Sequence, residues 1–169
     1  KMLYQTSGEV SYMDYYERAL YNHILSTINP IQGGFVYFTP MRSGHYRVYS
    51  QPQTSFWCCV GSGMENHARY GEMIYAHKDK NLYVNLFIPS TLDWNGTMIE
   101  QQTAFPEEEG TTLVVSPEKG KKAFAMHVRI PEWADKSSVR LSVNGEPQNL
   151  DIKDGYAVVN RTWKKGDKL

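Results

Sequence analysis

Two cysteines stand side by side in this chain of 169 residues, within Phe56-Trp57-Cys58-Cys59-Val60-Gly61-Ser62-Gly63-Met64-Glu65-Asn66. A thiolate is both a nucleophile and a soft metal ligand, so such a pair invites a chemical reading. Neighbouring Cα atoms lie ~3.8 Å apart across a trans peptide, less than the ~4.4–6.8 Å of a relaxed disulfide. A bridge between the two would also close no loop worth closing. Three uses remain: small apolar packing beside Trp57, a metal-ligand pair, or a nucleophile. The glycines that follow predict a helix start. Unpaired N–H groups and the positive end of the helix dipole favour an anion there, a setting that lowers a thiol pKa. A closed structural zinc site needs about four ligands. Two cysteines supply half of them, and although Glu65 or His67 could add to the pair, there is no Cys-x-x-Cys spacing.

Other candidates carry less chemistry. Glu17 precedes Arg18 and is followed by Tyr21, Asn22 and His23. It could accept sugar hydroxyls or simply form an ion pair on a helix surface. The tyrosines and tryptophans could stack on sugars or pack in a core with their polar tips satisfied. His127 alternates with apolar neighbours and is expected on the solvent face of a strand. No dinucleotide or phosphate-binding glycine motif is present, nor a His-Glu-x-x-His or Gly-x-Ser-x-Gly element. Gly61-Ser62-Gly63 lacks the spacing of a nucleophile elbow and the strand that precedes one.

The elements that must position these residues change character near residue 80. After Tyr83 only Tyr156 and His127 remain of the tyrosines and histidines. Before that point, Tyr12, Tyr15, Tyr16, Ala19, Leu20, Ile24 and Ile28 recur at helical spacing. They predict a helix over 11–28, opened by Ser11 and Asp14 and ended by Asn29-Pro30. A second helix is expected over 64–76, with an aromatic hairpin or loop over 33–47 between them. After residue 80 the alternation has a period of two. Strands are expected over 82–88, 98–105, 113–115, 124–130, 139–143 and 156–163, with Asn144-Gly145 as a hairpin turn. Short strands at this spacing argue for an antiparallel sandwich.

Composition narrows the partners. Lysine and arginine total 18 and aspartate and glutamate 18, for a formal net charge of zero. The basic residues form no stripe, which speaks against nucleic acid. No apolar run approaches the ~20 residues that span a bilayer, and Lys1 to Val10 hold no signal-peptide core. The chain starts at Lys1 and stops at Leu169, straight after a Gly166-Asp167 turn where a strand should begin. It is expected to be a piece of a longer protein.

Three stretches together resemble glycoside hydrolase family 127, the β-L-arabinofuranosidase-like proteins of bacteria. They are Tyr16-Glu17-Arg18-Ala19-Leu20-Tyr21-Asn22, Trp57-Cys58-Cys59 with its Gly-Ser-Gly-Met-Glu-Asn continuation, and Arg129-Ile130-Pro131-Glu132-Trp133-Ala134. Val143-Asn144-Gly145, Gly155-Tyr156 and Arg161-Thr162-Trp163 extend the likeness over the whole chain. The resemblance implies an α+β protein. Residues 1–79 would be the C-terminal helices of an α/α barrel, and residues 80–169 an antiparallel β-sandwich cut short at its C-terminus.

The same resemblance implies a retaining hydrolase in which a zinc-bound thiolate attacks the anomeric carbon, in place of the usual carboxylate. Carried over position by position, Cys58 would be the nucleophile and a zinc ligand, Cys59 a second zinc ligand, and Glu17 and Tyr37 sugar contacts. The substrate would be a carbohydrate, a plant-type glycan, and zinc the cofactor. The best-known members follow the cysteines with Pro-Pro-Asn, whereas Val60-Gly61-Ser62-Gly63 here marks a different branch. The other zinc ligands, a Glu-x-Cys element, and the acid/base glutamate are expected upstream of Lys1. The isolated polypeptide is therefore expected to be inactive. Barrel helices left without neighbours could pair two copies. The rival reading is a non-catalytic carbohydrate-binding or structural sandwich.

Overall fold

A computed structural model describes residues 1–169. The chain is α+β and divides into two compact units, one of Lys1 with Tyr12–Glu72, the other of Met2–Ser11 with Met73–Leu169. Its α-helices are α1 (Met2–Ser7), α2 (Ser11–Ala19) and α3 (Cys58–His67). None is long and apolar enough to cross a membrane.

Helical backbone runs from Ser11 to Thr27, all but its first residue in the first unit. Its hydrogen bonding loosens to a π-helix over Leu20–Ile24 and tightens to a 3-10 turn over Leu25–Thr27. The buried line is Met13, Glu17 and Leu20, four and three residues apart, while Tyr15 is exposed. The apolar spacing alone places the stripe on the tyrosine side. It misses the true face because a buried carboxylate sits at the middle of it. Ile28 turns extended and bridges Phe35, and Val36 bridges Tyr49. These two bridges pin the aromatic loop at its base. Gly34 permits that closure, since a Cβ there would lie 1.9 Å from the carbonyl oxygen of Ser50.

Helix α3 starts six residues earlier than the sequence pattern suggests and ends at His67. Gly61 and Gly63 are accommodated as helical residues, at an entropic cost of about 1 kcal/mol each, and fully buried Val60 ties the first turn down. The chain then makes a 3-10 turn, Tyr70–Met73. Residues 75 and 76, expected to be helical, instead open the first strand.

The second unit holds eleven strands. They are β1 (Tyr75–Lys78), β2 (Asn81–Val84), β3 (Ser90–Asp93), β4 (Thr97–Gln102), β5 (Thr112–Pro117) and β6 (Lys121–Arg129). After them come β7 (Ser142–Val143), β8 (Glu146–Pro147), β9 (Ile152–Lys153), β10 (Tyr156–Lys164) and β11 (Asp167–Lys168). Five form a sheet in the order β1-β2-β6-β10-β9, and four a sheet in the order β11-β5-β4-β3. Residues Leu82, Val84, Phe124, Met126 and Trp163 of the first sheet meet Ile99, Leu113 and Val115 of the second in one buried cluster. The arrangement is sandwich-like, with alternation along each strand setting the inner face.

Three details depart from the sequence reading. The sheet is not purely antiparallel: β2 pairs β6 in parallel, Asn81 to Val84 opposite Ala125 to Val128. The chain leaves β2 for the other sheet and returns beside it in the same direction. The strand expected to reach Ile88 stops at Val84, because Gln101 Nε2 donates to the carbonyls of Leu86 and Ile88 and takes those groups out of any ladder. His127 is half-buried rather than solvent-facing, stacked on Tyr83 at 4.5 Å between ring centres and bonded to Asn81 Oδ1.

The expected Asn144-Gly145 turn is present, joining β7 to β8 with both residues at positive φ. On the outer face of the five-stranded sheet, Tyr4 of α1 and Tyr156 both donate to Asn85 Oδ1, at 3.1 and 2.8 Å. All three are buried.

Candidate active site

Both cysteines lie in the first turn of α3 and both are exposed. Within these residues neither thiol fills a core. Trp57 is the extended residue before the helix and offers no side-chain cap. The first backbone N–H groups are therefore left without a side-chain oxygen beside the sulfur atoms.

The two sulfur atoms lie 3.8 Å apart. The Tyr37 hydroxyl stands 3.8 Å from Cys58 Sγ. The Tyr37 ring is held edge-on by Trp57 and Phe38, at 5.8 and 4.5 Å between centres. These contacts act on the electrostatics in opposite directions. The Tyr37 hydroxyl, then the Cys59 thiol and nearby backbone N–H groups, bring the Cys58 thiol below its ordinary value. The Cys59 and Cys58 thiols push Tyr37 up to about 12. At neutral pH Tyr37 thus keeps its proton and can donate it towards sulfur.

Tyr37 and Cys58 line one open cleft of about 630 Å³, together with Phe38, Tyr46, Val48 and Trp57. The sequence motif pointed to Trp57 and the tyrosine count to an aromatic surface. That Phe38, Tyr46 and Val48 wall the same cleft as the thiol depends on how the loop folds back through the Val36–Tyr49 bridge. Glu17 is buried, only 4 % exposed, on α2, and is not among the residues that line the cleft. His67 is engaged elsewhere, with Nε2 3.1 Å from Thr27 Oγ1 and Nδ1 against the Tyr70 hydroxyl.

No group of three or more His, Cys, Asp or Glu side chains is gathered to hold a metal. The cysteine pair by itself does fit one. Two thiolates bound at ~2.3 Å to a tetrahedral zinc stand roughly 3.8 Å apart, the separation found here. The pair can supply two of the four positions of such a site.

The profile of the β-L-arabinofuranosidase GH127 catalytic domain matches residues 1–72, and that of the GH127 middle domain matches residues 81–169. Among solved structures, a GH127 β-L-arabinofuranosidase from Geobacillus stearothermophilus T6 is similar at 28 % identity and a TM-score of 0.81, over 98 % of this chain and 28 % of that one. A structure described as a glycoside hydrolase is similar at 29 % identity and a TM-score of 0.82, over 98 % of this chain and 29 % of its own. A GH127 β-arabinofuranosidase shows 30 % identity and a TM-score of 0.77, with 98 % and 29 % covered. No curated relative matches in sequence. The chain spans less than a third of the length of these structures. By both domain profiles and by its fold, the chain belongs to glycoside hydrolase family 127.

Proposed function

We propose that this chain carries the nucleophile of a retaining glycoside hydrolase acting on β-L-arabinofuranosides, within a longer protein whose barrel would complete the helices of residues 1–79. The observation that carries the reading is the 3.8 Å separation of the Cys58 and Cys59 sulfur atoms in the first turn of α3. Cys58 and Cys59 would hold a zinc ion, which when bound would keep thiols ionised at neutral pH.

The steps belong to the residues of the chain. Cys58 Sγ forms a bond to the anomeric carbon as the glycosidic C–O bond breaks. The leaving oxygen keeps the bonding pair and takes a proton from a carboxylic acid, a group absent from the residues lining this cleft. Water then attacks the same carbon, giving a proton back to that carboxylate, and the Cys58 sulfur departs with the pair it had shared. Two inversions give retention. Tyr37, held by Trp57 and Phe38, directs its O–H towards Cys58 while the sulfur carries charge. Glu17, buried on α2, is assigned a sugar contact by family likeness alone.

With only two metal-binding side chains in reach of each other, the 169-residue polypeptide by itself is expected to release no aglycone from an aryl β-L-arabinofuranoside in the presence of zinc. The longer protein should do so. Its Cys58→Ser variant should lose turnover, and its Cys59→Ser variant should bind less zinc. Unchanged zinc stoichiometry in Cys59→Ser, or full activity in Cys58→Ser, would defeat the thiolate mechanism.

A further inference from the structure

Helix α3 carries Cys58 and Cys59 but is poorly equipped to hold itself in place. It has ten residues, two of them glycines, and no side chain caps its start. Such a helix is marginal by itself. Its one buried side chain is Val60, in the first turn. At the far end, roughly 13 Å along the axis from Cys58 at ~1.5 Å per residue, His67 is bonded to two other elements. Its Nε2 lies 3.1 Å from Thr27 Oγ1, and its Nδ1 meets the Tyr70 hydroxyl. The ring also stands edge-on to Phe35 at 5.4 Å between centres.

Counting protons fixes the direction of both bonds. A threonine hydroxyl has a single proton, and that of Thr27 goes to the Ile24 carbonyl, 2.7 Å away. Thr27 Oγ1 can therefore only accept from His67, so Nε2 carries the ring proton. Nδ1 is then a bare acceptor for the Tyr70 O–H. Burial lowers the His67 pKa below its ordinary value, which keeps the ring in this neutral form at pH 7. Thr27 passes the constraint on, since its carbonyl accepts from the Val36 N–H at 2.9 Å and Tyr37 is the next residue. The neighbouring pair, Ile28 and Phe35, bridges beside that bond. The path closes on itself. It runs from Cys58 along α3 to His67, across to Thr27, through Val36 to Tyr37, and from Tyr37 Oη back to Cys58 Sγ at 3.8 Å.

We infer that His67 is a positioning residue: its Nε2–H bond to Thr27 sets α3 against the base of the aromatic loop, and thereby the placement of the Tyr37 hydroxyl beside the Cys58 sulfur. The inference rests on the thiolate reading for what Cys58 does, but the placement can be tested without turnover.

The test is NMR on the 169-residue chain in reducing, metal-free buffer. A long-range proton–nitrogen spectrum should show His67 as the Nε2–H tautomer, and the Tyr37 ring should give a nuclear Overhauser effect to the Cys58 Hβ protons. His67→Phe keeps a ring against Phe35 and loses both polar bonds. Thr27→Val keeps the His67 ring and loses its acceptor. In both variants the Tyr37–Cys58 effect should vanish while the sequential amide effects from Val60 to Met64 persist. His67→Gln, whose amide offers one donor and one acceptor, should restore it. In the longer protein, His67→Phe should lower kcat by roughly 10-fold or more, since misplacing a reacting group by about 1 Å can cost ~10²-fold. KM should stay within about twofold, and His67→Gln should recover most of the rate. An Nδ1–H tautomer, a Tyr37–Cys58 effect that survives in either His67→Phe or Thr27→Val, or no rescue by His67→Gln overturns the inference. So does loss of the α3 amide effects in both His67→Phe and Thr27→Val, because His67 would then hold up the helix itself and not its placement. A longer protein with no turnover in any form would count against the hydrolase reading alone, and the spectra would still decide the placement.

Discussion

The Tyr37 hydroxyl stands 3.8 Å from the Cys58 sulfur, although 21 residues of chain separate them. The contact exists because the aromatic loop closes at its base and returns Tyr37 to the start of α3. It joins a proton donor to a thiol in an open cleft, and it gives the site a measurable chemical signature.

Cys58 should alkylate at lower pH than an ordinary thiol. Its pKa is lowered first by the Tyr37 hydroxyl, so a larger thiolate fraction is present at pH 7. Tyr37→Phe removes the donor and should move the alkylation profile of Cys58 to higher pH, slowing the reaction at pH 7 by a few-fold. Peptide-resolved iodoacetamide kinetics in metal-free buffer report this directly, and superimposable profiles would show that the hydroxyl does not act on sulfur.

Gly34→Ala should damage the loop that carries Tyr37. The added methyl group meets the Ser50 carbonyl oxygen at 1.9 Å, a backbone atom that cannot swing aside. The bond from Ser50 N–H to the Phe35 carbonyl, 2.8 Å, must then break or shift. A loss of more than about 2 kcal/mol in the first unit is expected. Urea unfolding followed through the Trp57 environment measures it, and the 80–169 strands should keep their amide protection.

Asp167 should make the second unit sensitive to acid. Asn144 Nδ2 donates to Oδ1 at 2.9 Å, the Lys164 N–H donates to Oδ2 at 2.9 Å, and Arg161 lies 3.5 Å away. The Asn144 bond is the largest cause of a carboxyl held below its ordinary value. A depressed folded-state pKa contributes stability above the unfolded value of about 3.9 and loses it as pH falls through the folded value. Asn144→Ala should therefore cost about 1–3 kcal/mol at pH 7 and less near pH 2. Equal losses at both pH values in urea titrations would remove Asp167 from the explanation.

Tyr4→Phe should loosen α1. Its hydroxyl and that of Tyr156 share Asn85 Oδ1 in a buried cluster, and burial first, then the Tyr4 hydroxyl, raises Tyr156 above its ordinary value. Removing one buried hydroxyl costs about 1–1.5 kcal/mol. Hydrogen exchange should rise across Met2–Ser7 before it rises in β6 or β10. Uniform change through the sheet would mean that the cluster holds the whole unit instead of the helix.

Some of this protein was legible in the order of its residues. Alternation along Phe124 to Ile130 and Tyr156 to Trp163 produced the two longest strands, because a period of two leaves only one face to bury. Asn144-Gly145 announced its hairpin because few other pairs accept positive φ twice. The adjacency of Cys58 and Cys59, with the motifs around them, was enough to identify the family and to set aside a relaxed disulfide. Other features depend on partners far along the chain. The parallel β2–β6 pair needs a crossing through the other sheet, and the stop of β2 at Val84 needs Gln101 to claim two carbonyls. The burial of Glu17 inverts what its charge suggests, and the true start of α3 depends on Val60 finding a core. Most of all, local spacing brings no aromatic ring but Trp57 to the thiol. Closure of the loop over Gly34 does that, bringing Tyr37 and the wall of Phe38 and Tyr46 to Cys58 and turning a pair of reactive side chains into a cleft.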